Sequence, residues 1–406
     1  MCDEGVGGAF CGLERFFDEL LFDGFLPDSL DWLAYALAGF ILAVSIVNLL
    51  LMITAGYTWF ERRALGRFQA RLGPNRWGPF GIFQPIADGI KLASKEDLVP
   101  DEADRPVFNL APVAMMAPAI LVVALIPFED ESFLGSLNIG ILFIIGVTSV
   151  NTIAIFMGGW ASRNKYAMFG AMRAVAMLIS YEVPMALAIT GVLLVAGSMS
   201  LSGMAASQAV PFLLVQPLGF LVFLAAASAE MSRTPFDQIE AESELGSGYH
   251  TEYSGMKFAV FQLAEFMAPI ITALIVATLY LGGARGYGPI PGQLWFVVMV
   301  AIVIFVLLWF RATWPRLRID QIMAFAWKGL LPLAIVNLFL VAAEVFVLQD
   351  SETGKLSTES LWIMAAINWV VTVASVVIMA NVLGQRRIQP LEPVASPLAN
   401  MHAEAD

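Results

Sequence analysis

Nine apolar stretches dominate this 406-residue chain. Each is close to the ~20 residues that a helix needs to cross a bilayer. They run Trp32–Trp59, Val107–Phe128, Ile139–Trp160, Tyr166–Ala196, Pro211–Ala229, Met256–Leu281, Leu294–Phe310, Gly329–Gln349 and Leu361–Leu383. The alternating segments of roughly ten residues that mark a membrane barrel are absent. The pattern therefore predicts an all-α, polytopic membrane protein with about nine transmembrane helices. Only 14% of residues are charged, against about 25% in soluble domains. No internal repeat is visible, so the inverted-repeat signature of many transporters is missing.

Basic residues predict the orientation. The side holding Phe60–Arg105, Ala161–Lys165, the stretch 230–257, Arg311–Lys328 and the C-terminal tail carries 18 Lys and Arg. The other side carries three: Arg15, Arg285 and Lys355. The positive-inside rule places the N-terminus outside and the C-terminus in the cytoplasm. Residues 1–31 form an acidic arm, read as a solvated, translocated tail without the basic start of a cleavable signal. Residues 32–349 form an eight-helix membrane core with cytoplasmic loops at 60–105 and 230–255. Residues 350–406 add a ninth helix and a polar tail.

The net charge of −12 excludes a basic nucleic-acid surface. The cysteines are Cys2 and Cys11, and the histidines His250 and His402. That inventory excludes a zinc site, an iron–sulfur cluster or a haem-binding histidine pair from the membrane body. A redox cofactor would belong to another subunit or diffuse in as substrate.

The first cytoplasmic segment begins Glu61-Arg62-Arg63. Arg63, Arg67 and Arg71 recur at i, i+4 and i+8, which puts three guanidinium groups on one face if the helix continues. Gly73-Pro74-Asn75 breaks it. A second amphipathic stretch, Pro79–Lys95, sets Phe80, Phe83, Ile86 and Ile90 against Asp88, Lys91 and Lys95. Such helices lie in the membrane interface. They suit phospholipid anchoring, or a partly enclosed pocket for a long hydrophobic substrate with a polar head.

Charges within spans are costly and mark function. Arg173 and Glu182 share the fourth span, but nine residues of helix put them on opposite faces ~13 Å apart along the axis. Arg173 is close enough to the end to snorkel. Glu182 lies deeper, beside Pro184, which frees the Ser180 carbonyl. Glu265 stands in the same relation to Pro269. Glu230 ends the fifth span, and Glu344 lies near the outer end of the eighth. Glu182, Glu230 and Glu265 read as a carboxylate path into the membrane.

The loop after the fifth span holds Glu230, Asp237, Glu240, Glu242, Glu244 and Glu252 against Arg233 alone. Asp237, Glu240 and Glu244 would share a face if this loop were helical. Close carboxylates titrate as a coupled set. Gly246 and Gly248 let the segment bend. The acids suit proton handling, docking of a basic partner, or both.

Glu61-Arg-Arg, Arg71-Leu-Gly-Pro-Asn-Arg-Trp-Gly-Pro, Gln84-Pro-Ile-Ala-Asp-Gly-Ile-Lys-Leu, Tyr181-Glu-Val-Pro and Glu230-Met-Ser-Arg-Thr-Pro-Phe-Asp through Thr251-Glu-Tyr-Ser-Gly occur in this order. Together they resemble the H subunit of NADH-quinone oxidoreductase, the proton-pumping respiratory complex I, from about Trp32 to Gln349. The resemblance implies a membrane component without a prosthetic group of its own, beside which quinone, ubiquinone or menaquinone, is reduced. FMN and iron–sulfur clusters would sit in partner subunits. The hydrophilic arm and small membrane subunits would be its neighbours in the cell inner (plasma) membrane. It implies that Arg62, Arg63, Arg67, Arg71, Asp88, Lys91, Arg233 and Phe236 line the quinone chamber. It implies that Glu182, Glu230, Asp237, Glu240, Glu242, Glu244 and Glu265 belong to the proton path. The ninth helix and the long acidic arm depart from the usual size of the family.

The nearest alternative is a homologous subunit of a membrane-bound hydrogenase-type or ferredoxin-linked complex, against which the intact Arg62–Lys95 segment weighs. A secondary ion transporter would use Glu182 and Glu265 as its substrate site and work alone. A purely structural anchor would leave the intramembrane acids without purpose.

Overall fold

The computed structural model describes residues 31–128, 137–239, 246–287, 289–349 and 356–385. Residues 1–30 of the acidic arm, Glu240, Glu242, Glu244 and the tail beyond residue 385 lie outside the described residues. Among the described residues the fold is all-α. Its helices are α1 (Asp31–Phe68), α2 (Gln84–Ala93), α3 (Arg105–Leu125), α4 (Gly140–Ala161), α5 (Lys165–Ala196), α6 (Leu201–Ser207) and α7 (Phe212–Val215). They continue with α8 (Pro217–Glu230), α9 (Gly255–Tyr280), α10 (Gly292–Thr313), α11 (Ile319–Phe325), α12 (Leu331–Leu348) and α13 (Thr358–Gln385). A π-helical turn, Ala326–Leu330, runs α11 into α12.

Among the described residues, eight segments are long and apolar enough to cross a membrane: most of α1, then α3, α4, α5, α9, α10, the α11–α12 rod and α13. The chain is thus a multi-pass membrane protein. The fifth apolar stretch, Pro211–Ala229, is broken. Gln216 takes φ −130°, ψ 64° before Pro217, because a residue preceding proline disfavours the helical region. This leaves α8 with 14 residues, about 21 Å long.

The centre of the bundle is α5, packed on α4, α8 and α12, while α3 packs on α4 and α9. Small residues permit these close approaches, as membrane helices require. Ala167, Ala171, Ala174 and Ala188 of α5 are fully buried. A Cβ on Gly159 of α4 would collide with the Ala171 Cβ. Pro184 and Pro269 are carried inside continuous helices, α5 and α9.

Two local expectations change. The first span does not end at Trp59, because α1 continues through Glu61-Arg62-Arg63 to Phe68. Ala70 then turns to φ 54°, so Arg71 leaves the face shared by Arg63 and Arg67. Residues 231–239 form turns, so no helical face begins at Asp237.

Candidate functional site

Charge inside the bundle collects where the polar ends of α1, α9 and α10 meet. Glu61 on α1 is 1% exposed. Arg311, near the end of α10, forms an ion pair with Glu61 Oε1. Arg233 lies 3.7 Å from the same oxygen and 3.7 Å from Glu265 Oε1 on α9. Its guanidinium also stands 4.8 Å from the centre of the Phe266 ring. Two cations and two carboxylates compensate one another, where a lone buried charge would be prohibitive. Arg233 Nε and Nη2 lack hydrogen bonds among the described residues. Arg233 borders a pocket of about 20 Å³ with Tyr57, Ser228 and Thr234, which has room for a water.

The segment that delivers Arg233 is clamped from both sides. Phe236 is buried against the Tyr181 ring of α5 at 5.2 Å and the Phe325 ring of α11 at 6.3 Å. Pro235 O accepts from Leu317 N at 3.1 Å, and Gln238 Nε2 donates to Leu317 O. Arg173, on the other face of α5 from Glu182, donates to Gln238 Oε1 at 3.4 Å. Asp237 is half-buried beside them.

Glu265 also borders a cavity of about 90 Å³ between α3, α4, α8 and α9. Its polar walls are Glu230, Glu265, Thr148, Asn151, Ser232, Thr272 and Tyr249. That volume holds several waters. Glu182 accepts a hydrogen bond from Ser149 of α4. It is also near enough to Glu230 for the two carboxylates to repel. Three of the predicted acids, Glu182, Glu230 and Glu265, are therefore drawn into one region.

The second half of the acidic loop is anchored rather than free. Gly248 has φ 70°, and a Cβ there would collide with Ile239 O. Gly170 of α5 lets the Gly248 backbone approach, since its Cβ would come within 2.9 Å of it. Tyr253 stacks on Phe108 at 4.0 Å and donates to Phe108 O at 3.2 Å. Burial raises the Tyr253 phenol above its ordinary pKa. Glu252 Oε1 accepts from Asn164 Nδ2 at 2.6 Å. This acid, at least, is engaged in packing.

The first cytoplasmic segment folds back on α1. Arg62 meets Asp88 of α2 at 2.7 Å, and Lys91 approaches the same carboxylate at 3.4 Å. Partial burial opposes ionisation of Asp88. The Arg62 and Gln84 hydrogen bonds and the Arg62 and Lys91 charges outweigh it, holding the carboxyl below its usual pKa. Arg63 donates to Phe80 O at 2.7 Å and lies over the Trp59 and Phe80 rings. Arg67 is exposed, and Arg71 donates only to its neighbour Gln69 at 2.7 Å among its described contacts. Phe83, Ile86 and Ile90 of α2 present an exposed apolar face.

Sequence reasoning missed several members of this assembly. Glu61 was visible only as the first letter of a motif. Arg311 looked like one more basic residue at a helix end. Ser149, Asn151 and Gln238 are neutral polar residues whose partners lie on distant elements.

Residues 41–342 match the NADH dehydrogenase family. The H subunit of NADH-quinone oxidoreductase from Dehalococcoides mccartyi is 52% identical over 300 residues, covering 74% of this chain and 85% of that protein. Its counterpart of the same name from Bacillus thuringiensis is 47% identical over 312 residues, covering 75% of this chain and 94% of that protein. Helix α13 lies beyond the matched family region. With three-quarters of its length aligned at this identity, the chain belongs to the family of NADH-quinone oxidoreductase H subunits.

Proposed function

We propose that this component of the oxidoreductase complex forms the quinone entrance, part of the quinone chamber and the first part of the proton path. The observation that carries the reading is one continuous line of groups. Arg311, Glu61, Arg233 and Glu265 are linked by ion pairs, and Glu265 borders the same cavity as Glu230, beside Glu182. A change of charge at the head of that line alters the field at each successive acid, and buried groups feel it with little screening.

In this reading the exposed apolar face of α2 admits the substrate tail, while Arg62, Arg63, Asp88 and Lys91 stand at the entrance. Arg67 and Arg71 lie further out on the polar surface. Arg233 and Phe236 approach the headgroup end. Quinone reduction draws protons, and Glu230, Asp237 and Glu265, with the undescribed Glu240, Glu242 and Glu244, answer that demand. Glu182 passes the displacement inward. Electrons arrive from FMN and iron–sulfur clusters of partner subunits docked on loops 60–105 and 230–255. Small membrane subunits and phospholipid cover the flanks. The N-terminus lies outside the plasma membrane, and the chain alone has no oxidoreductase activity.

The test is photo-crosslinking of an azido-quinone to the purified complex. Label is expected within residues 60–95 or 233–253. Label confined to other subunits or to α10–α13 overturns the chamber assignment.

A further inference from the structure

The broken helix creates a second polar site, at the end of the bundle away from these loops. Gln216, fully buried at the α7–α8 break, donates from Nε2 to Gly191 O at 3.0 Å, and its Oε1 has no hydrogen-bond partner among the described residues. Asn337 of α12 is also fully buried, with neither amide atom hydrogen-bonded. The two side chains converge. A Cβ on Gly191 would sit 3.2 Å from Asn337 Nδ2 and 3.3 Å from Gln216 Oε1. A Cβ on Gly219 would sit 3.0 and 3.5 Å from the same atoms.

Seven residues along α12, on the same face and about 10 Å away, stands Glu344, 8% exposed. Its Oε2 accepts from Asn368 Nδ2 of α13 at 2.8 Å. Glu344 Oε1 and Asn368 Oδ1 are left without partners among the described residues. Each such buried orphan is costly unless something bonds to it. Neutral amides that both donate and accept, beside a carboxylate with a spare oxygen, fit water and a proton carried by it. The charged groups on the elements packed against α12 are Lys165, Arg173 and Glu182 of α5, Glu230 of α8, Lys328 of the π turn and Glu359 of α13. Among these only Glu359 lies at the same end, and it is exposed.

We propose that Gln216, Asn337, Glu344 and Asn368 hold a file of bound water, with Glu344 as its proton-accepting group and α13 as its cover against lipid. A proton carried along the file as hydronium forms an O–H bond at Glu344 Oε1 and leaves a neutral water behind; on release the carboxyl O–H breaks and the proton returns to that water as hydronium. This site is separate from Glu182, Glu230 and Glu265, and it stands or falls independently of the path assigned to them.

The test is infrared spectroscopy of the purified complex in lipid, in H2O and D2O. A protonated-carboxyl band is expected that shifts on deuterium exchange, disappears in Glu344→Gln and moves in Asn368→Ala. Complex assembly and NADH oxidation by an artificial acceptor report intactness. Should Glu344→Gln fail to assemble, Asn368→Ala and Asn337→Leu carry the test through displacement of the same band. A carboxyl region unchanged by all assembled variants, or a Glu344 band insensitive to D2O, overturns the proposal.

Discussion

Arg233 lies 3.7 Å from Glu265, binding the turn after α8 to the polar half of α9. Both side chains are 11% exposed. Removing one partner of such a buried pair costs ~3–5 kcal/mol, because the other charge is left uncompensated. Arg233→Met is therefore expected to reduce assembled complex severely. Arg233→Met with Glu265→Gln should recover part of the assembly but not quinone reduction. The measurement is complex yield after mild solubilisation, followed by quinone reductase activity; a single variant indistinguishable from the parent in both counts against the pairing.

Glu182→Gln keeps a hydrogen-bond acceptor for Ser149 while removing the charge that acts on Glu230. We expect a fall in NADH-driven acidification of inverted vesicles with assembly retained. Ser149→Ala, which removes only the hydrogen bond, is expected to have the smaller effect. Vesicles of the Glu182 variant that pump at the parent rate would remove this carboxylate from the path.

The Arg62–Asp88 clamp has a defined pH window. The folded pKa of Asp88 is depressed, so its stabilising contribution is present above the ordinary carboxylate value of about 3.9. It is lost as pH falls through the lower folded value. Asp88 and Arg62 are 31% and 50% exposed, so the pair is worth at most about 1 kcal/mol. Asp88→Asn should therefore raise the KM for quinone modestly and by a constant factor from about pH 5 to 8. A KM ratio that varies steeply across that range is incompatible with this assignment.

Gly248→Ala tests the anchoring of the acidic loop. The substitution forces a side chain into left-handed backbone, costing roughly 1–2 kcal/mol, and directs it into Ile239 O. Increased proteolytic cleavage within residues 231–254 of the purified complex is expected. Gly246→Ala also meets a positive φ, 68°, but no atom within 4 Å, and should be milder. Equal cleavage of the two variants would argue against the Ile239 contact.

The spans were legible because lipid imposes length and apolarity on any helix that crosses it. The break in the fifth was not, although Pro211, Gln216 and Pro217 were in view. The apolar run hid the fact that Gln216 finds its partner on Gly191 of another helix. The end of α1 was misplaced because Glu61, Arg62 and Arg63 look like a loop, yet these residue types favour helix. The acids Glu182 and Glu265 could be read as exceptions within apolar text. Their companions Asn151, Ser149 and Arg311 could not, because their significance comes from tertiary neighbours. Sequence spacing likewise could not place Arg71, whose position turns on the single positive φ at Ala70.

Helix α1 runs unbroken for 38 residues, about 57 Å. It carries the buried Thr54 and the exposed Arg62 on one stiff shaft. Arg62 and Glu61 are neighbours on this shaft, so the Asp88 contact and the Arg233 and Arg311 pairs are fastened to one rigid element rather than across a hinge.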